Sequence, residues 1–470
     1  MLPIRCSKST GLIFLVLGLL LPRLPILLSV DMLPDIDEAA LAIQVQKWLS
    51  GISVAAYFPG QTHNWSGIEM LLAAPGLALF PPSVWSVKIP VLLLFISAMI
   101  FLYLTGVKYM RPLPLVILLV AVAALPPMLI WSMKFRGGYV PAFFLASFSV
   151  MLLDQKTVWP YQMFLVGTAL TLMFASHLLV ALVCLLPLIM TVKKPICTKM
   201  HLLFLFAGVL MALVVLQIGV PPNDLYPPDT DNFAKQFVVF SAPIHLDVYR
   251  FFSGQWLFWY QPQISLLFMG VPMVVLFLFY RMMQSPTRGV LAILLLGTII
   301  FYWLLQPFPM RYGISFLFAA TILMAIRPPS IRGVTMLFPA MYLFILPFVV
   351  PFFQTHLAHS SEDGRRLELL LKDWAVDQKN YETVFSEDET LAYLMNFYGH
   401  THYRGKPAYG RFQRDWYDAE FALKDNKPVA LISPAPFIGA SVGEPIGLSQ
   451  YFYSQPKEED LKKLGFQLKN

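Results

Sequence analysis

Long apolar runs separated by short polar links occupy most of this chain, and the pattern changes once, near residue 354. The first run, Gly11 to Val30, is interrupted by Arg23 and is long enough to cross a bilayer at about 1.5 Å per residue. Ten more follow at 84–107, 113–133, 139–153, 160–176, 178–192, 201–220, 264–280, 289–306, 310–326 and 334–353. Each predicts a helix, because a segment in lipid must satisfy its backbone polar groups internally. The expected architecture is an all-α polytopic membrane bundle of about eleven transmembrane helices spanning residues 1–353. The division at His177 decides whether 160–192 counts as two spans or as one long helix and a re-entrant piece.

Two links are long: a first outer loop at 31–83 and a second at 221–263. Within the first, 38–51 predicts an amphipathic surface helix, with Leu41, Val45, Trp48 and Ile52 on one side and Gln46, Lys47 and Ser50 opposite. A second helix is expected to open at Ser66, where Ser66 and Glu69 have capping-box spacing, and Pro75 is expected to limit its regular part. Trp48, Trp65, Trp85, Trp256 and Trp259 sit near predicted span ends, either as an interfacial aromatic belt or as the lining of a sugar or lipid site.

Beyond 354 the apolar runs stop and charge is interleaved with helical periodicity. YETVF and PVALIS read as strands, with helices expected at 387–397 and 416–424, so 354–470 predicts a small soluble α/β domain with one modest core.

Composition agrees with a membrane bundle. The chain is 57% hydrophobic and 13% charged, against about 25% charged in an ordinary soluble domain. Its mean hydropathy is +0.64. A formal charge of +7 does not point to nucleic acid here, because the basic residues cluster in alternate links: Lys108 and Arg111, Lys156, Lys193 with Lys194 and Lys199, Arg281 with Arg288, and Arg327 with Arg332. That distribution predicts a cytoplasmic N-terminus, since positive links stay inside, and an extracytoplasmic C-terminal domain. Three cysteines, Cys6, Cys184 and Cys197, imply neither a metal site nor a disulfide framework.

Asp35, Asp37, Glu38 and Glu69 fall in the first outer loop of a chain that otherwise keeps charge scarce. Asp35 and Glu38 have the spacing to cap the surface helix. Asp37 is not needed for that and suits a carboxylate that takes a proton from an incoming nucleophile.

The order of these features resembles the GT-C superfamily of integral-membrane glycosyltransferases, in the branch of the protein O-mannosyltransferases and the lipid A aminoarabinose transferase. It comprises an apolar first span, the Asp37–Glu38 pair opening a surface helix, the turn YFPGQ, the helix WSGIEMLLAAPGLALF, and Lys88 and Pro90 starting span two. KFRGGY after span three, ASH ending a span and the Arg311–Tyr312 pair extend it. The resemblance implies inverting transfer of a sugar from a polyprenyl-phosphate donor to a hydroxyl of a lipid, glycan or protein. It also implies a bacterial inner membrane, with the chemistry on the extracytoplasmic face. A phosphate leaves without a general acid, so one base and a set of cations suffice. Asp37 would be the base, with Glu38 orienting it or touching the acceptor. Arg136, Arg311, Lys88, Arg250 and Lys134 would hold the donor phosphate, or reach up to lipid headgroups instead. Tyr139, Tyr312, His177 and Glu69 are expected near substrate. The Lys-Pro-Pro-Leu element of the aminoarabinose branch is absent, and so is a second carboxylate in KFRGGY. These residues point to no particular cofactor; a divalent metal is left open, without residues that support it. The competing class is a transporter or flippase, which usually places charges or broken helices near mid-bilayer.

Overall fold

The computed structural model describes residues 7–24, 27, 36–51, 65–80, 83–155, 157–192, 199–219, 287, 289–292, 294 and 309–329, together with seven short strands of the tail. The expected spans at 264–280 and 334–353, most of 289–306, the second outer loop and the helix at 387–397 lie outside the described residues.

Helix α1 (Lys8–Leu20) opens at Ser7, whose side chain accepts the Thr10 N–H at 3.1 Å. Gly11, Leu15 and Leu19, spaced four apart, are buried, whereas Ile13, Phe14 and Leu17 are exposed, as on a helix with one face on a bundle and one on lipid. Helix α2 (Ile36–Leu49) and helix α3 (Gly67–Leu79) pack on each other. Helix α4 (Val84–Gly106) starts at a capping box in which Ser83 and Ser86 satisfy each other's N–H groups. At 23 residues it is about 34 Å long, enough to cross a bilayer core. Among the described residues, it and the segment Lys199–Leu216 are long and apolar enough to do so.

The predicted span 113–133 is broken. It forms α5 (Pro112–Ala123) and α6 (Pro126–Trp131), because Pro126 and Pro127 supply no N–H and the residue before a proline avoids the helical region. Helix α7 (Tyr139–Leu153) follows, then α8 (Pro160–Ser176) and α9 (Leu178–Thr191). The split at His177 is real: its backbone is extended (φ −159°, ψ 105°), and its Nδ1 accepts the Val180 N–H at 3.3 Å as the cap of α9. Helix α10 (Lys199–Gly219) lies against α8 at glycines. A Cβ built on Gly208 would meet the Phe164 carbonyl at 2.0 Å, and one on Gly167 the Leu205 carbonyl at 2.2 Å. Helix α11 (Pro309–Ile326) is buried from Ile314 to Ile326 and packs on α9.

Bundle polarity follows from its two ends. At one end Lys108 Nζ binds the Asp154 carbonyl at 2.8 Å and Oδ2 at 3.3 Å, and Tyr109 donates to Oδ1 of the same acid. The Ala325 carbonyl lies against Gly106 at that end too. The opposite end therefore gathers Ser83–Lys88, the 132–138 turn, the start of α11 and the break at His177.

Some local expectations fail for identifiable reasons. On α2, Leu41 and Val45 are buried as expected, but so are Ala39, Ala40, Ala42 and Gln44, while Trp48 is 44% exposed. The small residues, not the tryptophan, form the packed face. Ser66 makes no side-chain cap bond, its backbone (φ −92°, ψ 17°) lacking the extended form usual at an N-cap, and the Glu69 carboxyl accepts the Gly138 N–H instead of reaching back to complete a capping box. Pro75 does not end α3, which runs on to Leu79.

The tail contains β1 (Thr383–Ser386), β2 (Tyr403–Gly405), β3 (Phe421–Ala422), β4 (Val429–Ser433), β5 (Glu444–Pro445), β6 (Phe452–Ser454) and β7 (Leu468–Lys469). Five form a mixed sheet in the order β2-β1-β4-β6-β5, with β1 parallel to β2 and to β4, and β6 antiparallel to β4 and β5. Parallel neighbours need crossovers of a dozen or more residues. YETVF and PVALIS contribute β1 and β4. The segment expected as a helix at 416–424 contains β3 instead, paired with β7.

Candidate functional site

Glu38 organises the site. It stands in the first turn of α2, fully buried, and Lys88 Nζ, also fully buried, reaches both its oxygens at 2.8 and 2.9 Å. Lys134 Nζ approaches Oε2 at 3.3 Å, and the Phe135 N–H donates to Oε1 at 2.9 Å. A charge taken out of water is tolerable only when paired and hydrogen-bonded in this way. The set ties α2 to the head of α4 and to the turn after α6, three elements distant in sequence. Glu38 is thus an anchor between loops.

Glu69 is the second buried acid. Its Oε2 accepts the Gly138 N–H at 3.2 Å. Loss of water pushes its carboxyl up to about 8, and the Glu38 charge pushes the same way, against the weaker pull of the Ser66 hydroxyl and the Gly138 and Arg136 backbone. At neutral pH it is largely protonated.

Both acids are read by one turn. Gly137 and Gly138 hold positive φ (66° and 73°), and a side chain at 138 would drive its Cβ to 2.2 Å from the Ser176 carbonyl. Only glycine lets this backbone approach both Glu69 and the end of α8. Beside it the rings of Tyr139 and His177 stand 3.8 Å apart, and Trp131 and Tyr139 stand 4.9 Å apart.

Behind the turn lies Arg23, fully buried. Its Nε donates to Ser132 Oγ at 2.8 Å, and its terminal nitrogens donate to the carbonyls of Leu19 (2.7 Å), Ala123 (2.9 Å) and Met128 (3.4 Å). The guanidinium carbon sits 4.7 Å from the Phe95 ring centroid. Arg23 thus takes up carbonyls exposed where α5 breaks from α6, and so fixes the turn that holds the two acids. In the sequence it was legible only as an interruption of an apolar run, although an ionisable residue inside a span is itself a signal.

The structure brings together Glu38, Glu69, Lys88, Lys134, Tyr139 and His177, with Arg136 half-buried in the same turn. Residue 37 is next to Glu38 in α2, and residues 311 and 312 open α11 at this end, but their side chains lie outside the described part, as does Arg250 altogether. Lys88, expected to face a phosphate, is paired with Glu38 and closed to solvent. Among the described residues no group of three or more His, Cys, Asp or Glu could hold a metal ion. Glu38, its oxygens engaged by two lysines, is poorly disposed to serve as a cation ligand.

A long apolar bundle with a broken span, closed at one end by loop helices that carry buried acids, defines an α-helical integral membrane protein. No protein-family model matches the chain, and no curated protein matches its sequence significantly. Among solved structures it is similar to ArnT from Cupriavidus metallidurans bound to undecaprenyl phosphate, at 12% identity over 97% of this chain and 99% of that one, with a TM-score of 0.53. It also aligns with the apo state of the same protein (14% identity, 98% and 99% covered, TM-score 0.49). A weaker alignment is to the Archaeoglobus fulgidus oligosaccharyltransferase (12%, 76% and 56% covered, TM-score 0.39). The likeness to the first of these is one of fold.

Proposed function

We propose that this chain is a membrane glycosyltransferase that moves a sugar from a polyprenyl-phosphate donor to an acceptor hydroxyl on the extracytoplasmic face, inverting the anomeric carbon. The observation that carries the reading is the buried Glu38–Lys88–Lys134 set. A fold alone hosts many functions, so the site must bear the argument. Here a costly buried ion cluster fixes the first turn of α2, and with it the backbone of residue 37, against the 132–138 turn. Such rigidity is what a catalytic base needs to meet its proton at a set distance. In this reading Asp37 takes the proton of the acceptor hydroxyl, Glu38 positions it, and Arg136 and Arg311 grip the departing phosphate in the bidentate way that guanidinium allows. Lys134, 19% exposed, can lend charge to the same group, whereas Lys88 acts through Glu38. A carrier such as undecaprenyl phosphate, bound by the ArnT of like fold, suits the lipid setting.

The topology proposed with it has about eleven spans, a cytoplasmic N-terminus and the tail from about 354 as an extracytoplasmic α/β domain, in line with the basic links and the parallel strand pairs. Comparing envelope glycolipids and glycans by mass, with and without the gene, tests the function. One species should lack a single sugar residue in the deletion strain. Identical profiles would overturn the reading.

A further inference from the structure

Four buried polar atoms near Glu69 have no hydrogen-bond partner of ordinary geometry among the described residues: Trp65 Nε1, Ser66 Oγ, Glu69 Oε1 and Ser176 Oγ. They belong to one place. The backbone N–H of Trp65 donates to the Ala175 carbonyl at 2.8 Å, which ties the start of α3 to the end of α8. Gly138 joins Glu69, through its N–H, to the backbone of Ser176, on which it packs. Ser66 lies close enough to Glu69 to act on its carboxyl. Folded proteins leave few buried polar atoms unsatisfied, and several at one junction call for an occupant.

We propose that Trp65, Ser66, Glu69 and Ser176 form a subsite that takes up the hydroxyl groups of a sugar ring. The chemistry of the set selects the ligand. It offers an indole N–H that only donates, two hydroxyls that donate or accept, and a carboxyl oxygen. The four atoms include no cation, and the nearby lysines are engaged by Glu38, so the set itself matches an uncharged, hydroxyl-bearing group, with Arg136 in the same turn left to the adjoining phosphate. Its position beside the Tyr139 and His177 rings, three residues along the turn from the Phe135 N–H that binds Glu38, puts such a ring next to the reacting end of the site. The inference rests on the glycosyltransferase reading and adds which residues hold the sugar.

The test uses the full chain in lipid nanodiscs. One arm titrates undecaprenyl phosphate and the same carrier bearing glucose, mannose, galactose, N-acetylglucosamine or arabinose. The other adds the methyl glycosides of those sugars in the presence of the bare carrier. At least one sugar should add about tenfold to binding, and Ser176→Ala and Glu69→Gln should each remove about three- to tenfold of that gain. Affinity for the bare carrier should stay within about twofold in both variants, because the phosphate is held elsewhere. A gain confined to lipid-linked sugars assigns the subsite to the donor, and one seen with free glycosides assigns it to the acceptor. If no sugar adds to binding, or if both variants keep the whole gain, the unpartnered atoms hold water and the proposal fails. If the bare carrier does not bind the wild-type chain, the glycosyltransferase reading fails with it.

Discussion

A carboxylate surrounded by Lys88, Lys134 and a backbone N–H, as Glu38 is, is stable only as a set. Removing one member leaves an opposite charge buried and less well paired, which costs about 3–5 kcal/mol. Glu38→Gln and Lys88→Met should therefore each lower the unfolding midpoint of the detergent-solubilised protein strongly. The double variant should lose clearly less than the sum of the two. Additive losses would show that the two side chains do not support each other. Glu69 gives a pH signature instead. The folded chain holds its proton to about 8, while the unfolded chain releases it near the ordinary 4.5. Between those values the folded state binds the extra proton, so this contribution is full below about 4.5, declines as pH rises and is gone above about 8. The groups facing the acid are Glu38, which carries Lys88 and Lys134 with it, the Ser66 hydroxyl and the backbone of Arg136 and Gly138. Glu69→Gln should flatten the fall in thermal midpoint across this range, and a variant with the wild-type slope would contradict the assignment.

At the scale of elements, the contact between α8 and α10 depends on the absence of side chains. Thr168 Oγ1 donates to the Gly208 carbonyl at 3.1 Å across it, an approach that glycine permits. Gly208→Ala should lower the thermal midpoint even though alanine favours helix by about 1 kcal/mol, because its Cβ has no room against Phe164. A raised midpoint would show that the helices part freely. What the sequence told about elements depended on whether a local signal existed. Ser83 before an apolar run marks the start of α4, and a histidine set in an apolar stretch marks the break after Ser176. The Ser66 and Glu69 spacing misled, since a capping pattern cannot reveal that the carboxyl prefers an N–H contributed by residue 138. Trp48 misled likewise: the helix is buried all round over residues 38–42, and its largest residue, in the last turn, is left outside.

Across the whole molecule, the site is made by pairings over long separations: Glu38 with Lys88 and Phe135, Glu69 with Gly138, Arg23 with Ala123. The acids and lysines could be nominated from the sequence because charge is scarce in an apolar chain. Their partners could not, because residues 50 to 100 positions apart leave no periodic trace. Ser132 and Ser176 emerge only when the bundle closes, and so does the role of Arg23. The molecule has one centre: the broken span, held by Arg23, presents a turn that binds both buried acids, and residue 37 stands next to the first of them.

The rate of sugar transfer by purified Asp37→Asn in nanodiscs, against wild type with the same lipid-linked donor and acceptor, tests that centre most directly. A positioned general base contributes about 10²–10⁴-fold, so the variant should lose at least about a hundredfold in turnover while keeping its thermal midpoint and its affinity for undecaprenyl phosphate. Turnover within about twofold of wild type would contradict the account.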